Sequence, residues 1–386
     1  MKKCFAFLPM FFLWTGLALA APIATVPAGI HVNDITSLQS WGYFFVGGEY
    51  ESELQRAEGL KGEKESLVMR GQMFVEVFVP KEVTKPYPLV FFSGNNSTSL
   101  AWLNTPDGKK GWAQYFWEQG YIVYVTDVPN RGRAGALPRP GQYLSTSSAQ
   151  RSEVMFAGKG VEGATQFPGD PKMGDPVFDA FYATVAPALN DNKQMETFTQ
   201  KAGALLLDKI GPAVLVSHSQ SGPFVWLIAD ARSNLVKGIV NLEPKGQPFH
   251  NNPRRGSVEY AVWGLTEIPM TYDPPVSDPE KELVPALYTP EDKSLLPGNL
   301  QKEPARMLVN LQDIPILVVT GSASYHWNYD YLVPLYLKQA GVKNVTHTLL
   351  KDEGQVGNSH FMMVEKNSLD IAKIVQFWIE TNVPTK

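Results

Sequence analysis

One stretch of the chain, Ala213-Val214-Leu215-Val216-Ser217-His218-Ser219-Gln220-Ser221-Gly222-Pro223, constrains the fold more than any other. Its first four residues are apolar without alternation, the pattern of a strand covered on both faces. Small residues follow at 217, 219, 221 and 222, and Pro223 to Ala231 then has helical spacing. A buried strand that turns at once into a helix needs small side chains at the bend. The bend pushes the hydroxyl of its central residue, Ser219, outward.

A covered strand needs parallel neighbours. Leu89-Val90-Phe91-Phe92, Tyr121 to Thr126, Gly238 to Leu242, Ile314 to Thr320 and Val345 to Leu350 all read as further strands. Helical spacing over Lys110 to Gln119, Gln194 to Lys209 and Asp370 to Thr381 supplies covering layers. The expected class is therefore α/β, a mostly parallel sheet flanked by helices. Trp41 to Val46 and Gln72 to Val79 read as early strands, with Gly47-Gly48 as a turn.

Two segments break the alternation. Residues 133–176 are rich in Gly, Pro and Ser, and 244–304 carry many prolines. Long insertions in compact enzymes are lids or binding loops, so a single domain over 21–386 with two cap insertions is expected. Hydrophobic residues at 44% and charged ones at 19% allow a sizeable core. A net charge of −4 leaves no basic surplus to neutralise phosphates, which argues against a nucleic-acid partner.

Residues 1–20 read as an export signal. Lys2 and Lys3 precede an apolar stretch from Phe5 to Leu19, and Ala18-Leu19-Ala20 fits cleavage before Ala21. An uncleaved anchor is the competing reading, and the apolar run is short for one. The expected destination is the periplasm or the medium. Cys4, the sole cysteine, would leave with the signal, taking disulfides, thiolate metal sites and a cysteine nucleophile out of consideration. No later run is apolar and long enough to span a bilayer. No H-E-x-x-H, EF-hand, P-loop or dinucleotide-binding glycine pattern occurs, so neither metal nor cofactor is expected.

The strand–Ser219–helix segment matches a nucleophile elbow, G-x-S-x-G, with Ser217 and Ser221 at both glycine positions. The bland alternative is Ser219 as a helix cap. Further matches are Thr105-Pro106-Asp107-Gly108, Gly111-Trp112 and Arg131-Gly132-Arg133. On these residues the chain, from its third strand onward, resembles the α/β-hydrolases. More narrowly it is similar to a subfamily of secreted bacterial esterases with the elbow S-H-S-Q-S-G. The resemblance implies a Ser–acid–His triad in chain order, with the acid after strand six instead of strand seven.

A serine needs a base to become a nucleophile. Of His31, His218, His250, His326, His347 and His360, the last sits in Gly357-Asn358-Ser359-His360-Phe361, a turn before the final helix, where this topology delivers its base. His218 is expected to pack beneath the elbow. The resemblance assigns the acid to Glu243, before Pro244; Asp330 holds the more general superfamily position, and Asp352 is a third candidate. The oxyanion donors are expected at the backbone N–H of Gln220 and, in Ser93-Gly94-Asn95-Asn96, of Asn95. Subfamily members can carry H-G-C-C in that loop. Asn96, Arg131 and His326 are candidate substrate contacts, with Arg131 alternatively tying down the insertion. The expected function is an exported carboxylesterase cleaving a small-molecule ester through an acyl-enzyme. Amide or lactone cleavage, and a non-catalytic binding protein on the same fold, are the alternatives.

Overall fold

The computed structural model describes residues 32–56, 63–249 and 261–385; the expected signal at 1–20 and His250 lie outside them. Eight strands form the main sheet: β1 (Leu38–Arg56), β2 (Glu63–Pro80), β3 (Leu89–Phe92), β4 (Val123–Asp127), β5 (Ala213–His218), β6 (Val236–Leu242), β7 (Ile316–Thr320) and β8 (Val345–Leu349). Their order is β1-β2-β4-β3-β5-β6-β7-β8. β1, β2 and β4 pair antiparallel, and every neighbour from β4 to β8 is parallel. This is the α/β-hydrolase architecture.

Alternation along each strand divides the core. Val90, Phe92, Leu215, Ile239, Ile316 and Val318 face one layer. Leu89, Phe91, Val214, Val216, Val240, Leu242, Leu317 and Val319 face the other. A strand with both faces buried reads as an unbroken apolar run, which is why these strands are legible without period-two polarity. The helices longer than four residues are α1 (Trp112–Glu118), α2 (Ala149–Met155), α3 (Pro176–Ala183), α4 (Asn192–Ile210), α5 (Ser221–Ala231), α6 (Leu332–Gln339) and α7 (Ser368–Asn382). The first layer packs against residues of α4, α5 and α6, such as Leu206, Phe224 and Leu337. The second packs against α1 and α7 through Trp112, Phe116, Ile371 and Val375. Each such large apolar side chain, fully buried, stabilises by roughly 1.5–3 kcal/mol.

Gly47-Gly48 is not a turn. β1 runs straight through it, with Gly47 opposite Gln72 and Glu49 opposite Arg70. The reason is a crossing: Gly47 has φ +70°, and a Cβ there would stand 3.0 Å from Cβ of Ala202 on α4. Glycine at 47 leaves room for the helix, whereas the sequence pattern alone reads the pair as a turn. The insertion 133–176 contains α2 and the short strand Leu144–Ser145, which pairs with Ala188–Leu189. Within 244–304, Pro285–Tyr288 pairs with Gly298–Gln301.

Candidate active site

Every expected site residue follows the C-terminal end of a parallel strand, where open α/β sheets hold their ligands. Ser219 comes directly after β5 with φ +55°, a left-handed conformation costly for a residue with a Cβ. Three backbone hydrogen bonds hold it there: its N–H donates to Leu242 O at 3.0 Å, and its carbonyl accepts from Gly222 N at 2.9 Å and Lys245 N at 2.8 Å. The serine at the second glycine position has a use. Ser221 Oγ lies 2.8 Å from the carbonyls of both Phe92 and His218, which share its single proton, and accepts from His218 N at 3.1 Å. Its hydroxyl thus ties β3 to the bend, work that a glycine could not do.

Glu243 and His360 meet although 117 residues separate them: His360 Nδ1 lies 2.6 Å from Glu243 Oε2. Glu243 ends β6 with φ +45° and is fully buried. Its Oε1 accepts from Gly321 N at 2.8 Å, and its Oε2 also accepts from Ser324 Oγ at 2.5 Å. Burial, with the charge of Asp330 nearby, raises the Glu243 carboxyl well above its usual range, against the pull of these donors. Burial lowers His360 well below the ordinary histidine range. A neutral imidazole is what a general base requires.

His218 lies under the elbow, as its position adjacent to Ser219 demands. Its Nε2 is 2.9 Å from the backbone carbonyl of His360, and burial lowers its pKa to about 3, so it donates as a neutral ring. Glu365 accepts from Ser359 N and Asn358 Nδ2 on the same turn. His218 was expected beneath the elbow; Ser324 and Glu365, which also support the catalytic candidates, did not stand out in the sequence. The run Gly321-Ser322-Ala323-Ser324 after β7, with its small residues, was the one available signal.

Where the oxyanion donors were expected, Gly94 packs on the elbow: a Cβ there would stand 2.8 Å from both His218 Nδ1 and Ser219 Cβ. Asn95 and Gln220 line the same cleft as Ser219. Arg131 and Asn96 do not contact that cleft. Arg131 is 1% exposed, and its guanidinium donates to Gly94 O and Gln220 Oε1, each at 2.5 Å. It ties the loop after β3 to the segment after Ser219, the two places where oxyanion donors were expected, through its terminal nitrogens. Asn96 donates to Ser145 O and Ala186 O, pinning the loop to the insertion. Arg133 pairs with Asp127 and Glu76.

The cleft has a volume of about 480 Å³. Both insertions contribute to its wall, through Arg151 and Met155 from one and Lys245, Leu265 and Glu267 from the other. His326 lines it too, with Nδ1 held 2.7 Å from Asp330 Oδ1. Asp330 therefore serves a different histidine from the one its superfamily position implies. Glu243, His326 and His360 bring potential ligand atoms within 4.8 Å of one another, the only such group among the described residues. Glu243 Oε2 and His360 Nδ1 are spent on each other, and His326 Nδ1 on Asp330.

No protein-family model matches the chain. It is 40% identical over 345 residues to the fungal protein named "Probable secreted lipase phiG" (Fungal sp., strain ATCC 74256), covering 88% of this chain and 89% of that one. Among solved structures it superposes on one described as "The Atomic Resolution Structure of a Novel Bacterial Esterase" with a TM-score of 0.63. That match covers 94% of this chain and all of the other at 22% identity, a likeness of fold. With the sheet order, the strained serine bend and this relative together, the chain belongs to the family of that fungal lipase, on an α/β-hydrolase fold.

Proposed function

We propose that the protein is a serine-dependent carboxylic ester hydrolase working through a Ser219–His360–Glu243 triad. The observation that carries this reading is the buried 2.6 Å contact between His360 Nδ1 and Glu243 Oε2, tied through the His360 carbonyl to His218 at the bend where Ser219 is held at φ +55°. Glu243 fixes the proton on Nδ1, which leaves Nε2 of His360 to accept the Ser219 proton. Ser219 Oγ then attacks the ester carbonyl. The backbone N–H groups of Gln220 and Asn95 stabilise the oxyanion, held in place by Arg131 behind them. Imidazolium His360 returns the proton to the departing alcohol, and water, deprotonated by His360 in turn, releases the acid.

The elbow motif assigns the chain, in this reading, to the subfamily of secreted esterases. The leader at 1–20 and the word "secreted" in the relative's name support export. Ser219→Ala tests the mechanism. Ester turnover should fall by roughly 10⁴ or more with the thermal midpoint nearly unchanged, and fluorophosphonate labelling of the protein should disappear. Turnover within tenfold of the parent protein would remove the mechanism and favour a binding role.

A further inference from the structure

Beside the His360–Glu243 pair stands a second imidazole–carboxylate pair that the mechanism above does not use. His326 and Asp330 are 2% and 0% exposed, with Nδ1 and Oδ1 2.7 Å apart. Asp330 Oδ2 accepts from Thr320 Oγ1 at 3.0 Å, and its backbone N–H donates to His326 O at 3.0 Å. The carboxylate is thus fixed from both sides. The His326 ring lies parallel to His360, at 4.7 Å and 8°, and forms part of the same cleft wall as Ser219.

Two consequences follow from elementary chemistry. A carboxylate at Nδ1 holds the ring proton there, so Nε2 carries the lone pair. His360 becomes positively charged each time Ser219 loses its proton, and a second cation stacked on it would repel it strongly. His326 therefore serves as a neutral ring whose second nitrogen is an acceptor. An acceptor in a binding wall recognises a donor. The remaining wall is also rich in polar groups, among them Asn192, Gln247 and Thr266.

We propose that His326 determines specificity by accepting a hydrogen bond from a hydroxyl group of the substrate, so that hydroxy esters are the preferred class. This rests on the esterase reading. The hydroxyl can sit on the acyl or the alcohol side, and the experiment separates the two.

The test measures acid release at constant pH from ethyl butyrate, ethyl 3-hydroxybutyrate, 2-hydroxyethyl butyrate and ethyl acetoacetate. The parent protein should favour one hydroxylated ester over ethyl butyrate by about tenfold or more in kcat/KM, because a site built to bond a hydroxyl discriminates against its absence. His326→Phe keeps a ring in the stack and removes the lone pair, so that ratio should fall to near one. Asp330→Asn places an amide donor at Nδ1 and moves the ring proton to Nε2. Its preference should shift toward ethyl acetoacetate, whose keto oxygen can only accept. This second variant decides the matter if His326→Phe does not fold. A parent ratio near one for both hydroxylated esters overturns the proposal, as does a preference that survives in the variants. A parent protein that hydrolyses none of the four esters and resists fluorophosphonate at Ser219 overturns the esterase reading, and this proposal with it.

Discussion

The two histidine–carboxylate pairs are nearly equal as hydrogen bonds, at 2.6 and 2.7 Å, and both carboxylates are fully buried. They differ in how they are built. His326 and Asp330 are four residues apart within one turn, so local backbone geometry alone brings them together. His360 and Glu243 come from separate strand ends, and three further groups position them: Gly321 N–H, Ser324 Oγ and, through the His360 carbonyl, His218. An imidazole–carboxylate contact therefore does not by itself define a catalytic pair. In the proposed mechanism the difference lies at the far nitrogen, which serves a nucleophile in one case and the cleft in the other.

Substitution at the acids gives the widest separation. Glu243→Gln retains the shape but cannot stabilise the imidazolium, and turnover should fall by roughly 10²–10⁴ with KM little changed. Asp330→Asn should lower ethyl butyrate turnover by less than about tenfold. Steady-state kinetics on both variants checks the ranking, and the reverse order would exchange the roles of the two pairs. Next comes the brace behind the oxyanion loop. Arg131→Met removes the donors to Gly94 O and Gln220 Oε1 and should cost about 10- to 100-fold in kcat, less than deletion of an oxyanion donor itself.

The pH profile probes the same pairs more gently. In the proposed triad His360 must be neutral to take the serine proton, and burial lowers its pKa below the ordinary 6.5. The rate kcat/KM should hold as pH drops through 6.5 and decline only at lower pH, read from a profile between pH 4 and 9. The smallest effect concerns a carboxylate with no histidine. Glu196, on α4, accepts from the backbone N–H groups of Glu267 and Ile268, and burial followed by the charge of Glu267 raises its pKa to about 7. Because the folded value exceeds the unfolded one, the folded chain holds the extra proton between pH 4.5 and 7. Its contribution to stability therefore falls as pH rises through that window. Thermal midpoints at pH 5 and 7 should differ by less in Glu196→Gln than in the parent protein.

The parallel strands and the Ser219 bend were legible because local sterics specify them: covered strands need apolar runs, and a sharp strand-to-helix turn needs small residues. The meeting of His360 and Glu243 was expected through resemblance and topology, since no local pattern joins residues so far apart. His326–Asp330 has an i,i+4 spacing visible in the sequence, yet only tertiary structure sets that turn against a cleft. Arg131 shows the opposite limit. A cation after a strand end reads as a substrate anchor, and it proves to be buried with its donors turned back onto the protein. Gly47 failed as a turn for a similar reason, its partner being a helix far along the chain.

The tether between His218 and the carbonyl of His360, 142 residues further on, bears on how the molecule comes into being. During synthesis Ser219 emerges from the ribosome long before His360 does, with Glu243 between them. On the proposed triad, Ser219 has no proton acceptor until the final strand has joined the sheet edge and the turn at 357–361 has docked under the elbow. That reading makes a nascent or partly threaded chain chemically silent toward esters, with hydrolysis beginning only once the last segment has been laid down.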